Sequence, residues 1–199
     1  MSTQKSAKSR AIALVKNEHR SLSAVLNALQ FLAKQALNGQ RPSQTLLNAI
    51  AHYLLHFPEK KHHPAEDRWI FAPIRNATAE MNDVLATLTA EHVAGEDREK
   101  TLMAALKDFS ASAPGSTEKL SEVIEEYATF YWSHMRTEET LILPLAERVL
   151  TEADWAAAAD GFASNHDPMY GPETPNEFDA LFQRIVYLAP SPIGLGGSE

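Results

Sequence analysis

Apolar residues recur every three or four positions along four long stretches of this chain, and this spacing constrains the fold more than any other feature. The first stretch is expected to form a helix over residues 9–38, whose apolar face runs from Ile12 to Leu29 with His19 as its one polar member. Gly39 follows as a typical C-terminal signal. Alternating spacings of three and four are characteristic of helices packed side by side in an antiparallel bundle.

Three further stretches have comparable patterns. The second is expected over residues 42–73, with a kink or break at Pro58 and Pro64. The third spans residues 79–113, and the fourth begins at Ser116 or Thr117 and has an apolar face that includes Leu141. We therefore predict an all-α fold, an up-and-down antiparallel four-helix bundle with a C-terminal helical extension.

The predicted organisation is a flexible N-terminus over residues 1–8, the bundle over 9–150, and an extension with a loose tail over 151–199. Within the extension, Thr151 and Asp154 are typical of a capping box that opens a short helix. A last amphipathic helix is expected around Phe178, Leu181, Phe182 and Ile185.

Composition narrows the classes of function. The net charge of -8 argues against nucleic acid as a partner. The chain has no cysteine, which excludes disulfides, zinc fingers and cysteine-bound iron–sulfur clusters. No apolar run approaches the roughly 20 residues that a membrane helix needs, so no membrane association is expected and a cytoplasmic protein is the default.

Histidines replace apolar residues at inward positions of all four helices, at His19, His62, His92 and His134. Two of them are followed four residues later by a glutamate, in the pairs His62–Glu66 and His134–Glu138. Side chains four apart lie on the same face of a helix, so each pair presents an imidazole and a carboxylate together.

Burying several imidazoles and carboxylates costs several kcal/mol unless each finds a partner, and a multivalent cation is a partner that all of them can share. Nitrogen and oxygen ligands without thiolate suit iron, manganese or zinc. Carboxylates can bridge two ions, which favours a dinuclear site.

The combined pattern resembles the hemerythrin-like family, the His-His-Glu cation-binding domain. The resemblance covers about residues 9 to 150 and is carried by four motifs. They are Glu18-His19, His62-His63-Pro64-Ala65-Glu66-Asp67, Glu91-His92, and His134-Met135-Arg136-Thr137-Glu138-Glu139.

This resemblance implies a four-helix bundle that holds two non-haem irons. Glu66 and Glu138 would be the bridging carboxylates, and His19, His62, His92 and His134 the terminal ligands. Hemerythrins proper have a His-x-x-x-His motif on the third helix, whereas this chain has Glu96 four residues after His92. Their last carboxylate is an aspartate five residues after the histidine, and here Glu138 follows after four.

Two ligand assignments stay open at this point. Glu96 is a candidate ligand, a hydrogen-bond acceptor behind a ligand, or a solvated residue. His63 is an alternative to His62 if the kink at Pro64 shifts the phase of the helix.

Three functions compete. The first is binding or sensing of O2, NO or iron at a dinuclear iron site, with Mn or Zn as alternative metals. The second is an enzyme that acts on peroxide, O2 or NO, and no catalytic residue is assigned. The third is a metal-free helical scaffold with buried structural histidines.

Overall fold

The computed structural model describes residues 6–167, and within this range every regular element is helical. Eight α-helical segments occur in chain order. They are α1 (Ala7–Leu37), α2 (Gln44–His56), α3 (His63–Glu66), α4 (Ala72–Ala77), α5 (Asn82–Ser110), α6 (Ser116–Thr137), α7 (Leu143–Val149) and α8 (Glu152–Ala163). The helix expected around residues 178–185, and the tail, lie outside the described residues.

Helix ends follow the local sequence. Ser6 accepts a hydrogen bond from the backbone N–H of Ser9, so α1 begins at Ala7, within the segment 1–8 that was expected to be flexible. Gly39 follows α1 with φ 77°, a left-handed conformation that glycine adopts without strain. Thr151 and Asp154 form the predicted capping box at the start of α8.

Three π-helical turns join the shorter segments: Pro58–His62, Asp67–Phe71 and Glu138–Ile142. In the first turn the backbone N–H of His63 bonds to the carbonyl of Pro58, five residues back. A π turn places one extra residue in the helix and changes which side chains face inward afterwards. The first two turns carry the second stretch past Pro73, where it was expected to end, as far as Ala77.

The third turn corrects one predicted core position. Leu141 was expected on the apolar face that continues from α6, but it is 39% exposed. Ile142 is buried in its place, because the extra residue of the π turn rotates the following side chains around the helix axis.

The core consists of two apolar clusters with the histidine layer between them. One cluster contains Leu22 and Tyr131, and the other contains Val15 and Ile142. His19 and His134 therefore lie at the level where the two clusters meet. Helix α1 packs against α6 and α8, and α5 packs against α6. None of the helices within residues 6–167 is long and apolar enough to cross a membrane.

Candidate metal centre

Two groups of buried histidines and glutamates lie where the helices meet. In each group the potential ligand atoms are all within 4.8 Å of one another. The first group is His63, Glu66, His92 and His134, and the second is His19, His62, Glu66 and Glu138. We call them the three-histidine position and the two-histidine position.

Glu66 directs one oxygen towards each position. Its Oε1 atom lies 3.4 Å from Nε2 of His19 and 3.4 Å from Nε2 of His62. Its Oε2 atom lies 3.6 Å from Nε2 of His92. A carboxylate placed in this way can bridge two cations.

Glu138 has the same arrangement. Its Oε2 atom lies 3.4 Å from Nε2 of His19, at the two-histidine position. Its Oε1 atom lies 3.1 Å from Nε2 of His134 and 3.7 Å from Nε2 of His92, at the three-histidine position. Ligand atoms about 2.1 Å from a shared ion are roughly 3.0–3.4 Å apart, so most of these separations suit a first coordination sphere.

Each of the five histidines contacts a further carboxylate through Nδ1. The pairs are His19–Glu139 at 2.9 Å, His62–Glu18 at 2.7 Å, His63–Glu59 at 2.9 Å, His92–Asp67 at 3.1 Å and His134–Glu91 at 2.8 Å. When the carboxylate is ionised it can only accept, so Nδ1–H donates, and in the neutral imidazole the Nε2 lone pair then faces the other ligand atoms of its group. This tautomer is the one that binds a metal, and the outer carboxylate makes the imidazole a better ligand.

The sequence motifs contained these outer acids, but we did not predict their role. Glu18 and Glu91 directly precede a histidine of the two groups, and Asp67 and Glu139 directly follow a glutamate of the two groups. Glu59 is four residues before His63 and so lies on the same helical face. Four of the seven proposed ligands, His19, Glu66, His92 and Glu138, have an acidic residue next to them in the sequence, and this is the signal that could have identified most of these outer carboxylates.

Glu59 is held on two further sides. Tyr131 donates a hydrogen bond to its Oε1 atom while His63 contacts Oε2. Gly95 packs against the same carboxylate, and a Cβ added there would lie 2.6 Å from Glu59 Cδ. Glycine at this position therefore makes room for the acid that orients His63.

Burial and nearby carboxylates shift the pKa values of several groups at the site. Burial lowers the pKa of His62 to about 4 and raises that of Glu18 to about 8, a rise that Asn165 and His19 oppose. Burial also lowers the pKa of His92, but Asp67, Glu138 and Glu66 outweigh it and raise the value to about 10.

The buried nitrogen and oxygen atoms of the two groups are suited to bind cations, because many of them lack another polar partner. Several buried ligand atoms have no hydrogen-bond partner within residues 6–167, namely Nε2 of His62, Nε2 of His63, Oε2 of Glu66 and both carboxylate oxygens of Glu138. Nε2 of His92 lies only 3.1 Å from Nε2 of His134. Unpartnered buried polar atoms are costly, and a cation at each position would be a common partner for them.

The structure places six of the seven predicted ligands in the two groups and adds His63. Glu96 is exposed and belongs to neither group, because Gly95, three residues after His92, occupies the inward position of α5. His62 and His63 are each only 2% exposed, so they are not alternatives. The π turn Pro58–His62 ends directly before His63, and the two consecutive histidines belong to different groups.

A family model, the hemerythrin HHE cation-binding domain, matches residues 10–146. This range includes all seven residues of the two groups. The chain belongs to the hemerythrin HHE cation-binding domain family. Both departures from the pattern of hemerythrins proper, Glu96 and the spacing from His134 to Glu138, lie within the matched range.

The chain is also similar to three curated proteins described only as uncharacterized, one from Mycobacterium bovis and two from strains of Mycobacterium tuberculosis. Each is 21% identical over 140 residues, which is 70% of this chain and 52% of the relative. The chain thus spans about half the length of the curated relatives it matches. No solved structure matches the chain at a comparable level of significance.

Proposed function

We propose that this protein holds two non-haem iron ions in the core of an up-and-down four-helix bundle and binds or senses a small diatomic ligand there. The observation that carries the proposal is the orientation of Glu66 and Glu138, each of which directs one oxygen to each histidine group. Five imidazoles would complete the ligand set. Packing of α1 against α6 and of α5 against α6 is in keeping with the bundle.

The donor atoms are compatible with iron. The ligands are imidazole nitrogens and carboxylate oxygens, which suit iron, manganese or zinc, and the family is one that binds cations. Each iron would supply a redox-active centre for a ligand such as O2 or NO. The protein's part is to fix the ligand atoms, keep each Nδ1 protonated and exclude bulk water.

The two positions differ in how many histidines they contain. One has His63, His92 and His134, whereas the other has only His19 and His62. The ion at the two-histidine position would have fewer protein ligands and more room for an external one. No proposed ligand side chain is more than 6% exposed, which suits a diatomic molecule and not a bulky substrate.

The test is anaerobic loading with ferrous iron, desalting and elemental analysis. We expect about two irons per chain, and after reduction a stable NO or O2 adduct. The variant His134→Ala should lose iron, and His56→Ala, at an exposed histidine outside both groups, should not. A wild-type protein that retains no metal would contradict the proposal. Turnover of O2 or peroxide with a reductant, without a stable adduct, would favour the enzyme alternative.

A further inference from the structure

Helix α8 and the turn after it lie beyond the residues that the family model matches, yet they reach the two-histidine position. The inner face of α8 is fully buried in the second apolar cluster, through Trp155, Ala158, Ala159 and Phe162. Phe162 places its ring 6.4 Å from the ring of His62, in an edge-on arrangement. This helix is therefore part of the wall around the proposed centre.

The turn after α8 makes the more specific contact. Asn165 is buried, and its side-chain amide donates to both oxygens of Glu18, at 3.2 and 3.3 Å. Glu18 in turn contacts Nδ1 of His62 at 2.7 Å. A continuous series of polar contacts thus runs from Asn165 through Glu18 to a proposed ligand.

The chemistry of Glu18 explains why an amide is needed there. Its side chain is 4% exposed, so water does not solvate it, and a buried carboxylate that receives only one hydrogen bond is costly. The amide supplies donors without adding charge and fixes the orientation of the carboxylate. Glu59 at the three-histidine position has its own second donor, Tyr131, from within the matched region.

We propose that Asn165 is a positioning residue of the two-histidine position, and that α8 with its following turn is an integral part of the metal centre. Asn165 holds Glu18, and Glu18 orients His62 so that Nε2 faces the cation. This inference rests on the proposed function, because it concerns affinity for the second ion. It assigns a role to a segment outside the family's matched region.

The experiment is an anaerobic ferrous titration of the full chain, comparing wild type with Asn165→Ala and Asn165→Asp. Loss of a residue that hydrogen-bonds to a metal ligand costs about 10–100-fold in metal affinity. Asn165 contacts Glu18 and not the ligand itself, so we expect Asn165→Ala to weaken the binding of one of the two ions by about tenfold. Asn165→Asp should cost more, since it sets a second carboxylate beside Glu18. Exchange of one iron into an external chelator should accelerate in parallel.

The decisive readout is the ratio of the two ferrous dissociation constants, which a purely structural role would not change. Ser164→Ala is the matched control, because Ser164 is exposed and its hydroxyl donates to the backbone carbonyl of Gly161, away from Glu18. In a Glu18→Ala background, Asn165→Ala should have no further effect on iron. If Asn165→Ala lowers thermal stability but leaves both constants unchanged, the inference is wrong. If the wild type itself fails to take two irons, the proposed function is wrong as well.

Discussion

Replacement of Gly95 by alanine should weaken the three-histidine position by displacing Glu59. The added Cβ would lie 2.6 Å from Glu59 Cδ, and carbon atoms in contact are about 3.5–4.0 Å apart. The carboxylate would therefore retreat by about 1 Å. Its 2.9 Å contact with Nδ1 of His63 would then exceed the ~3.5 Å limit of a hydrogen bond. An outer partner of this kind is worth 10–100-fold in metal affinity, or about 1.4–2.7 kcal/mol.

The same substitution should weaken metal binding without lowering the stability of the iron-free protein. Alanine in a helix interior is favoured over glycine by about 1 kcal/mol, and the Glu59 carboxylate can move because it is the end of a flexible side chain. We expect Gly95→Ala to melt no lower than wild type without iron, yet to bind one ferrous ion about tenfold more weakly. Thermal melting of the apoprotein and a ferrous titration measure the two effects separately.

A double-mutant cycle with Glu59→Ala tests the cause. Once the Glu59 carboxylate is absent, Gly95→Ala should leave iron affinity unchanged and retain only its effect on the helix. Unaltered affinity for both ions in Gly95→Ala alone would refute the reasoning, as would an equal loss in the Glu59→Ala background.

Three further outcomes are expected. His134→Leu should lower both the iron content and the melting temperature of the iron-loaded protein. A bound ligand at about 100 times its Kd adds about 2.7 kcal/mol to the free energy of unfolding, and the variant would lose that contribution. If the protein were a metal-free scaffold, the apolar residue would stabilise it instead. Glu96→Gln should leave the iron content and both affinities unchanged, and a loss of iron would restore Glu96 as a ligand. The affinity for ferrous iron should increase with pH. The pKa of His92 is raised to about 10 and that of Glu18 to about 8, so both groups hold protons near neutral pH, and cation binding should release protons. Calorimetry in buffers of different ionisation enthalpy would measure that proton release, and its absence would contradict the prediction.

The sequence was sufficient for the helices and for most of the inward-facing histidines and glutamates, because apolar spacing determines which face is buried. His19 and His134 each interrupt a regular apolar face, so their inward orientation could be predicted from periodicity alone. The pairs His62–Glu66 and His134–Glu138 also depend only on local geometry. Both end up as neighbours in the core, with Nε2–Oε1 separations of 3.4 and 3.1 Å.

The errors arise where backbone hydrogen bonding departs from the α-helical pattern. Periodicity assumes a constant rotation per residue, and a π turn breaks that assumption, so Leu141 was placed inside and His63 was offered only as a substitute for His62. Glu96 lies outside both groups for a different reason. The inward position on α5 is taken by Gly95, whose lack of a side chain is required by Glu59, a residue 36 positions earlier in the chain. No local pattern on α5 contains that information.

The balance of charge at the site is compatible with the proposed pair of cations. Four carboxylate side chains near the histidines are at most 4% exposed: Glu18, Glu59, Glu66 and Glu138. If all four ionise, two divalent cations offset them, whereas one cation would leave two negative charges in the core. Without cations, the proton is the other available positive charge. Glu18 accordingly has a pKa raised by burial to about 8, and the acids around His92 raise its pKa to about 10. Protons and metal ions would thus compete for the same group of buried acids, and the outer carboxylates, without contacting a metal, would influence how strongly each binds.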